Sequence, residues 1–469
     1  MSGPRFGTDG WRGIIARDFT FARVAEVTRA ILSYLDEQGL AEQGLVVGYD
    51  RRFQSRAFAR EVADTGAARG FDVWLTDQFL PSPAISWAVR DKHAAAGIIV
   101  TASHNPPQYS GLKLKEQFGG SARPAVTARI EGLLRRPAAT PVARPQGQIR
   151  LFDGLSAYRR HLAQCFAPAT LRRARQKVAI DVMHGAAAGI LAPLLTDLGF
   201  CALELRGDEN PAFDGHAPNP SAEHLGLLGG LIQRGEATLG LAVDGDGDRL
   251  AAIDETGAYC GPQVLFPLLL RYLVEGRGGR GRVVKSVSTT HLIDRICRAH
   301  DLPLSETAIG FKHACQAILD DDVLMAGEES GAPGIPRHLP DRDAQLAALL
   351  LLEALGAAGS TLSALREDLQ ARFGPLHYRQ SSLRLPVMHC ADMHRRIAAL
   401  SPQRLCGREV LATNRSDGVK WLLAGDAWLL LRVSGTEPLA RLYAEAPEAA
   451  LAEELLACGE KLLGEPSDS

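Results

Sequence analysis

Short, unbroken apolar runs alternate along this chain with longer stretches of helical spacing. "GLVVGYDRR" is an apolar run closing in a charged turn, and "SRAFAREVADTGAARG" after it has helical periodicity and a glycine stop. "FDVWLTD" and "AAGIIVTASH" predict two further buried strands. A second series opens with "QKVAIDVMHG", passes through the helical "AAAGILAPLLTDLG" and reaches "ATLGLAVDGDGDRLAAID". A third runs through "RVVKSVSTT", "HLIDRICRAH" and "DDVLMAGEESG". This repetition of strand, turn and helix predicts α/β layers with largely buried strands.

The pattern breaks in three places. "RRPAATPVARPQGQ" is rich in proline and polar residues and predicts a linker, a softer break falls near "DETGAYCGP", and "RFGPLHYRQSS" precedes a tail of different character. In that tail the strands "GVKWLLAG" and "AWLLLRVSG" lie next to each other, which reads as α+β. The expected domains are 1–148, 149–256 and 257–373, each α/β, and 374–469. A chain of 469 residues agrees, since domains average about 150 residues.

Composition narrows the function classes. With 46% hydrophobic and 23% charged residues and a formal charge of -2, nothing suggests nucleic acid as a main partner. The apolar stretches "LAALLLLEALGAA" and "LFPLLLRYLV" are shorter than the roughly 18–20 residues that cross a bilayer, so both read as buried helices. The start "MSGPRFGTDGWRG" has no apolar core, and no signal peptide is expected. The eight cysteines form no CxxC pair and no Cys/His cluster along the chain. They imply neither a zinc site nor a disulfide framework, and the plain reading is a cytoplasmic protein with reduced thiols.

Two segments carry candidate chemistry. In "TASHNPPQYSGLKLK" (101–115), Ser103 and His104 precede a turn enforced by Asn105-Pro106-Pro107, and Lys113 and Lys115 end the strand that follows. By itself this reads as an exposed serine in a turn. A Ser-His hydrolase is the rival, but the G-x-S-x-G elbow is missing. In "DGDGDR", Asp244, Asp246 and Asp248 alternate with glycines. Side chains two apart share one side of an extended segment, so the three carboxylates can converge. Oxygen donors without histidine or cysteine suit Mg²⁺ or a similar hard ion. A calcium loop of the EF-hand kind fails because Arg249 stands where that loop needs glycine. A simple polar hairpin turn remains the bland alternative.

"TASHNPP" with "GLKLK", then "DGDGDR", then "GEESG", then "RVSGTEPLARLY", opened by "FGTDGWRG", resembles the α-D-phosphohexomutase family over essentially the whole chain. The resemblance implies three related α/β domains with mixed sheets and a fourth, TATA-binding-protein-like α+β domain around a central cleft. It implies an intramolecular phosphotransferase of the phosphoglucomutase type, which interconverts glucose 1-phosphate and glucose 6-phosphate. Phosphomannomutase or dual activity is the alternative, and a glucose 1,6-bisphosphate-forming phosphotransferase a further one. Ser103 would carry the phosphoryl group, with Asp244, Asp246 and Asp248 as Mg²⁺ ligands beside it. His104 and Lys113 would be the candidates for general base and acid, and Arg12 and Arg249 would stabilise charge. Glu328 and Ser330 would hold sugar hydroxyls, with Lys312 near the sugar or its phosphate. Arg432, Ser434, Gly435, Thr436 and Arg441 would grip the phosphate that is not reacting. Hexose 1,6-bisphosphate would be intermediate and activator, and the partners small hexose phosphates, with no nucleic acid and no membrane; the protein would be a monomer or dimer. Two positions depart from the family pattern: Ser110 precedes Gly111 where asparagine is usual, and His224 replaces a common asparagine.

Overall fold

The computed structural model describes residues 3–7, 9–135, 144–384, 390–434 and 439–464. The first sheet contains β1 (Trp11–Ile14), β2 (Leu45–Tyr49), β3 (Val73–Thr76), β4 (Ala96–Val100), β5 (Tyr109–Glu116) and β6 (Ile149–Phe152), in the order β1-β5-β4-β2-β3-β6. β2, β3, β4 and β6 run parallel, whereas β5 is antiparallel to both β4 and β1. Alternate strand residues serve opposite faces. Val47, Ile98 and Val100 join the core under helices α1 (Phe21–Glu37), α2 (Ser55–Ala68) and α4 (Pro124–Leu134). Val46 and Ile99 turn the other way, toward α3 (Ser82–Asp91) and the second domain. Burial on both faces explains why these strands carry uninterrupted apolar runs. Because β6 pairs with β3, the first sheet reaches past the expected boundary at Gln148, as far as Phe152.

The second sheet repeats the design. β7 (Lys177–Asp181), β8 (Cys201–Leu205) and β9 (Leu239–Val243) are parallel, and β10 (Leu250–Ile253) folds back antiparallel on β9 and pairs with β11 (Tyr259–Cys260). Helix α5 (Gly154–Leu162) leads into it. Each of these two domains thus contains one turn where a parallel strand passes into an antiparallel neighbour. The β4–β5 turn holds Ser103, and the β9–β10 turn holds the three aspartates.

The third sheet, β12 (Arg282–Ser286), β13 (Leu304–Thr307) and β14 (Val323–Gly327), is parallel throughout among the described residues, in the order β13-β12-β14. It lacks the antiparallel partner that makes the first two sheets mixed. In its place, single antiparallel bridges join Gly334 to Ala326 and to Arg342. The helix Ala344–Ala358 then runs through the shared core, buried around nearly its whole circumference. No single described helix is long and apolar enough to cross a membrane.

The fourth sheet is antiparallel, in the order β15-β20-β19-β18-β17-β16. Its strands are β15 (His377–Arg384), β16 (Arg404–Leu405), β17 (Arg408–Asn414), β18 (Val419–Leu423), β19 (Ala427–Val433) and β20 (Leu439–Ala446), with the helix Ala449–Gly464 packed against one face. β18 and β19 pair directly, as the adjacent apolar runs predict.

Candidate active site

Ser103 stands at the end of β4 in a left-handed conformation, with φ of 50°, where a non-glycine residue is strained. The surroundings hold it there. Arg52 donates from Nη2 to the carbonyls of Ser103 and Asn105, both at 2.6 Å. Its Nη1 donates to the carbonyls of Pro106 at 2.9 Å and Tyr109 at 3.0 Å. One guanidinium therefore fastens the loop at four points, and Asp50 balances its charge at 3.2 Å. Arg12, on β1, donates to the side-chain oxygen of Asn105. Contrary to the reading as an exposed turn serine, Ser103 is only 1% exposed, because the second domain covers it.

The cover is the aspartate loop. Its convergence comes from a tight turn rather than from extended alternation: Gly247 N–H donates to the Asp244 carbonyl, and Gly247 has φ of 79°. Asp244 Oδ1 accepts from the backbone N–H groups of Asp248 and Arg249, each at 3.0 Å. The loop is a β9–β10 hairpin turn as well as a carboxylate cluster, so the bland alternative describes its backbone and not its chemistry. A β-carbon on Gly245 would lie 2.6 Å from the Ser103 carbonyl oxygen, which shows how closely the two loops touch. Ser103 Oγ donates to Asp244 Oδ2 at 2.8 Å. Ser82, at the start of α3, donates through Oγ at 2.6 Å to Asp246 Oδ2 and through its N–H at 2.7 Å to the Asp246 carbonyl.

One oxygen of each remaining carboxylate is left over. Asp246 Oδ1 and Asp248 Oδ1 are buried and have no hydrogen-bond partner among the described residues. Buried carboxylate oxygens without partners are costly. The ligand atoms of Asp244, Asp246 and Asp248 lie within 4.8 Å of one another, a donor set that fits a hard divalent ion such as Mg²⁺. On the opposite edge, Lys113 Nζ bonds Asp9 Oδ2 at 2.6 Å, Asp246 Oδ2 at 2.7 Å and Asp248 Oδ2 at 2.8 Å. Arg249 approaches Asp244 at 3.9 Å and donates to Asn219.

The third domain reaches this cluster through Arg342. Its Nη2 donates to Asp248 Oδ2 at 2.7 Å and Asp9 Oδ2 at 3.1 Å, and its Nη1 to Glu328 Oε2 at 3.4 Å. Glu328 follows β14, and its Oε1 accepts from the Gly310 N–H at 2.5 Å. Ser330, two residues on, is partly exposed, and Lys312 Nζ donates to the Gly7 carbonyl at 3.0 Å. Ser103, His104, Lys113, the aspartates, Arg249 and Glu328 are thus joined into one network, with Arg12 tied to it through Asn105.

The fourth-domain candidates stand apart, on the β19–β20 edge. Arg432 and Arg441 are cross-strand partners, and Ser434 N–H closes the turn on the Leu439 carbonyl at 2.8 Å. Gly435 and Thr436 lie outside the described residues. Asp417 connects this edge to the third domain, accepting from Arg432 Nε at 3.1 Å and from the Ile309 N–H at 3.0 Å, next to Gly310. Arg52, Asp9, Ser82, Arg342 and Asp417 were not among the sequence candidates. Asp9 sits in the "FGTDGWRG" segment, and Arg342 stands among acids in "PDRDA", the only local hints of either role.

Burial sets the charge states. It pushes Asp244 up to about 8, with repulsion from Asp246 and Asp248 adding to it. Burial also opposes the Asp248 carboxylate, but Arg342 and Lys113 outweigh it and hold Asp248 below the usual range. For Lys113 burial disfavours the ammonium, yet Asp246, Asp248 and Asp9 raise its pKa above the ordinary lysine value. His104 is held well below 6.5 by burial and then by Arg249, Arg12, Lys113 and Arg52. The imidazole is the neutral partner of the pair and the lysine the charged one. A groove of about 620 Å³ lined by Tyr34, Arg123, Val126 and His313 contains none of these groups.

Comparison with known proteins follows the same division into four. The α/β/α domains I, II and III of phosphoglucomutase/phosphomannomutase match residues 3–140, 156–257 and 262–373, and the C-terminal domain matches 398–457. A phosphoglucomutase/phosphomannomutase from Thermococcus kodakarensis is 28% identical over 99% of both chains. A phosphoglucosamine mutase from Pseudomonas entomophila is 28% identical over 96% of both. A crystal structure from Thermus thermophilus has a TM-score of 0.86 at 33% identity, covering 99% of this chain and 100% of the other. Matched in order by all four domains, the chain belongs to the phosphoglucomutase/phosphomannomutase family of α-D-phosphohexomutases.

Proposed function

We propose that this protein interconverts glucose 1-phosphate and glucose 6-phosphate through a phosphorylated Ser103 and a hexose 1,6-bisphosphate intermediate. The observation that carries this reading is the contact of Ser103 Oγ with Asp244, beside two unpartnered carboxylate oxygens. Asp244, Asp246 and Asp248 would hold Mg²⁺, which when bound polarises phosphoryl oxygens and offsets their charge.

The chain's own groups account for the remaining demands. A phosphoryl group on Ser103 extends from the buried oxygen toward the cleft, and a sugar hydroxyl attacks its phosphorus. The P–Oγ bond breaks as the new P–O bond forms. His104 and Lys113 serve the two proton transfers: one takes the hydroxyl proton, and the other keeps charge off the departing Oγ. Arg12 and Arg249 balance the equatorial oxygens. Glu328 and Ser330 hold neighbouring ring hydroxyls, with Lys312 near the substrate. Arg432, Ser434, Gly435, Thr436 and Arg441 grip the distal phosphate, so that binding energy from the far end orders the reacting one. After the bisphosphate turns around, its other phosphate returns to Ser103.

The preference for glucose rests on the "GEES" form of the sugar loop, in which Glu329 accepts from Ser288 Oγ at 2.5 Å. A phosphoglucosamine mutase reading has its own support, since several full-length relatives carry that name at 27–29% identity. Rates with glucose, mannose and glucosamine 1-phosphates, measured side by side with catalytic bisphosphate, decide between them. A glucosamine rate exceeding the glucose rate overturns the proposal.

A further inference from the structure

Away from the cleft, three domains meet at a cluster that the linear sequence conceals. His161, at the end of α5, and Cys165, four residues on, come from the second domain, and His338 from the third. The first domain closes over them through α3: the Trp87 ring stacks on His161 with centroids 5.3 Å apart, and Arg90 donates to the His338 carbonyl at 2.6 Å. The expectation that the cysteines take part in no Cys/His cluster fails, because the fold brings His161, Cys165 and His338 together.

We propose that His161 Nε2, Cys165 Sγ and His338 Nδ1 form a binding site for Zn²⁺ or a similar borderline divalent ion, separate from the aspartate loop. The three atoms make a triangle. Nε2 to Nδ1 is 3.0 Å, Sγ to Nδ1 3.5 Å, and Sγ to Nε2 3.8 Å. Tetrahedral zinc, with bonds of about 2.0–2.1 Å to nitrogen and 2.3 Å to sulfur, requires edges of about 3.3 Å between nitrogens and 3.6 Å between nitrogen and sulfur. The triangle therefore accepts the ion with shifts of a few tenths of an ångström. Two imidazoles and a thiolate form a softer set than the all-carboxylate loop, which separates the two sites by metal type.

The surroundings complete the case. His338 donates its other nitrogen's proton to Asp343 Oδ2 at 2.6 Å, the carboxylate–histidine arrangement that fixes a metal-binding tautomer. Tyr158 also donates to that carboxylate. His338 and Asp343 are buried, whereas His161 and Cys165 are partly exposed, so an ion can enter from one side. Three protein donors leave the fourth position to water. The segment tied down this way, His338 to Asp343, carries Arg342 to Asp248. The site is thus a clamp on the arm that reaches the cleft.

The full-length protein, reduced, stripped with chelator and then saturated with Mg²⁺, should be titrated with Co²⁺. The expected result is one further Co²⁺ per chain, with thiolate-to-cobalt absorption in the near ultraviolet and proton release as the thiol ionises. Zn²⁺ should bleach that absorption at one equivalent and raise the melting temperature. Cys165→Ser should abolish the band, and Cys201→Ser, at an exposed cysteine, should retain it. His161→Asn should weaken Zn²⁺ binding by more than the roughly 10–100-fold typical of losing an outer-shell partner. Absence of the band in the unaltered protein overturns the site, and so does its persistence in Cys165→Ser. Either result leaves the cluster as a hydrogen-bonded histidine pair with a thiol beside it.

Discussion

Ser103 Oγ donates a 2.8 Å hydrogen bond to Asp244 Oδ2 across 141 positions of sequence. The bond joins equivalent turns of two related domains, each where a parallel strand hands over to an antiparallel one. Two α/β units of similar design thus supply the two halves of the centre, an oxygen from one and carboxylates from the other.

Ser103→Ala removes that oxygen. Incubation with labelled hexose 1,6-bisphosphate should then leave the protein unlabelled, and mutase turnover should fall by at least about 10³-fold. Label retained in this variant would move the phosphate carrier elsewhere.

Asp246→Ala removes one of the two unpartnered oxygens along with a Lys113 contact. Activity should drop by at least about 10²-fold, the scale of losing one electrostatic stabiliser, and adding Mg²⁺ should restore nothing. Full metal-dependent turnover would refute the ligand assignment.

Gly245→Ala tests the contact between the loops. The new methyl group would meet the Ser103 carbonyl oxygen at 2.6 Å, and Arg52 bonds that same oxygen at 2.6 Å, so it has little room to yield. A stability loss of about 1–3 kcal/mol, read from the urea midpoint, should accompany reduced turnover. An unchanged midpoint would mean that the loops are less tightly apposed than the structure shows.

Glu328 carries a pH dependence. Burial pushes its pKa up to about 7, Arg342 opposing and Glu329 adding to the rise. If the carboxylate is the form that accepts sugar hydroxyls, KM should climb as pH falls below about 7, approaching tenfold per unit, while Glu328→Gln should give a flat profile at a raised KM. Stability moves the opposite way. Because the folded-state value lies above the ordinary 4.5, the folded protein holds more protons between about 4.5 and 7, and this residue's contribution to stability falls as pH rises through that window.

What the sequence reveals depends on distance along the chain. Buried strands such as "AGIIV" and "LGLAV" are legible because burial on both faces demands unbroken apolar runs. The aspartate loop is legible because its donors are local. Arg52, Arg342 and Asp417 are not, since each does its work on groups 14 to 333 positions away, and nothing adjacent marks any of them as an anchor. The burial of Ser103 is hidden for the same reason, as its cover comes from another domain.

Lys113 and Arg342 bear on the aspartate loop in the absence of a bound ion. Its ammonium bonds Asp9, Asp246 and Asp248 from one edge while Arg342 bonds Asp9 and Asp248, so the acidic groups are already counterbalanced by cations that cannot diffuse away. Architecture and reactivity are thereby largely separated: removing Mg²⁺ should silence turnover, while the cooperative melt should fall only by the ion's own binding contribution.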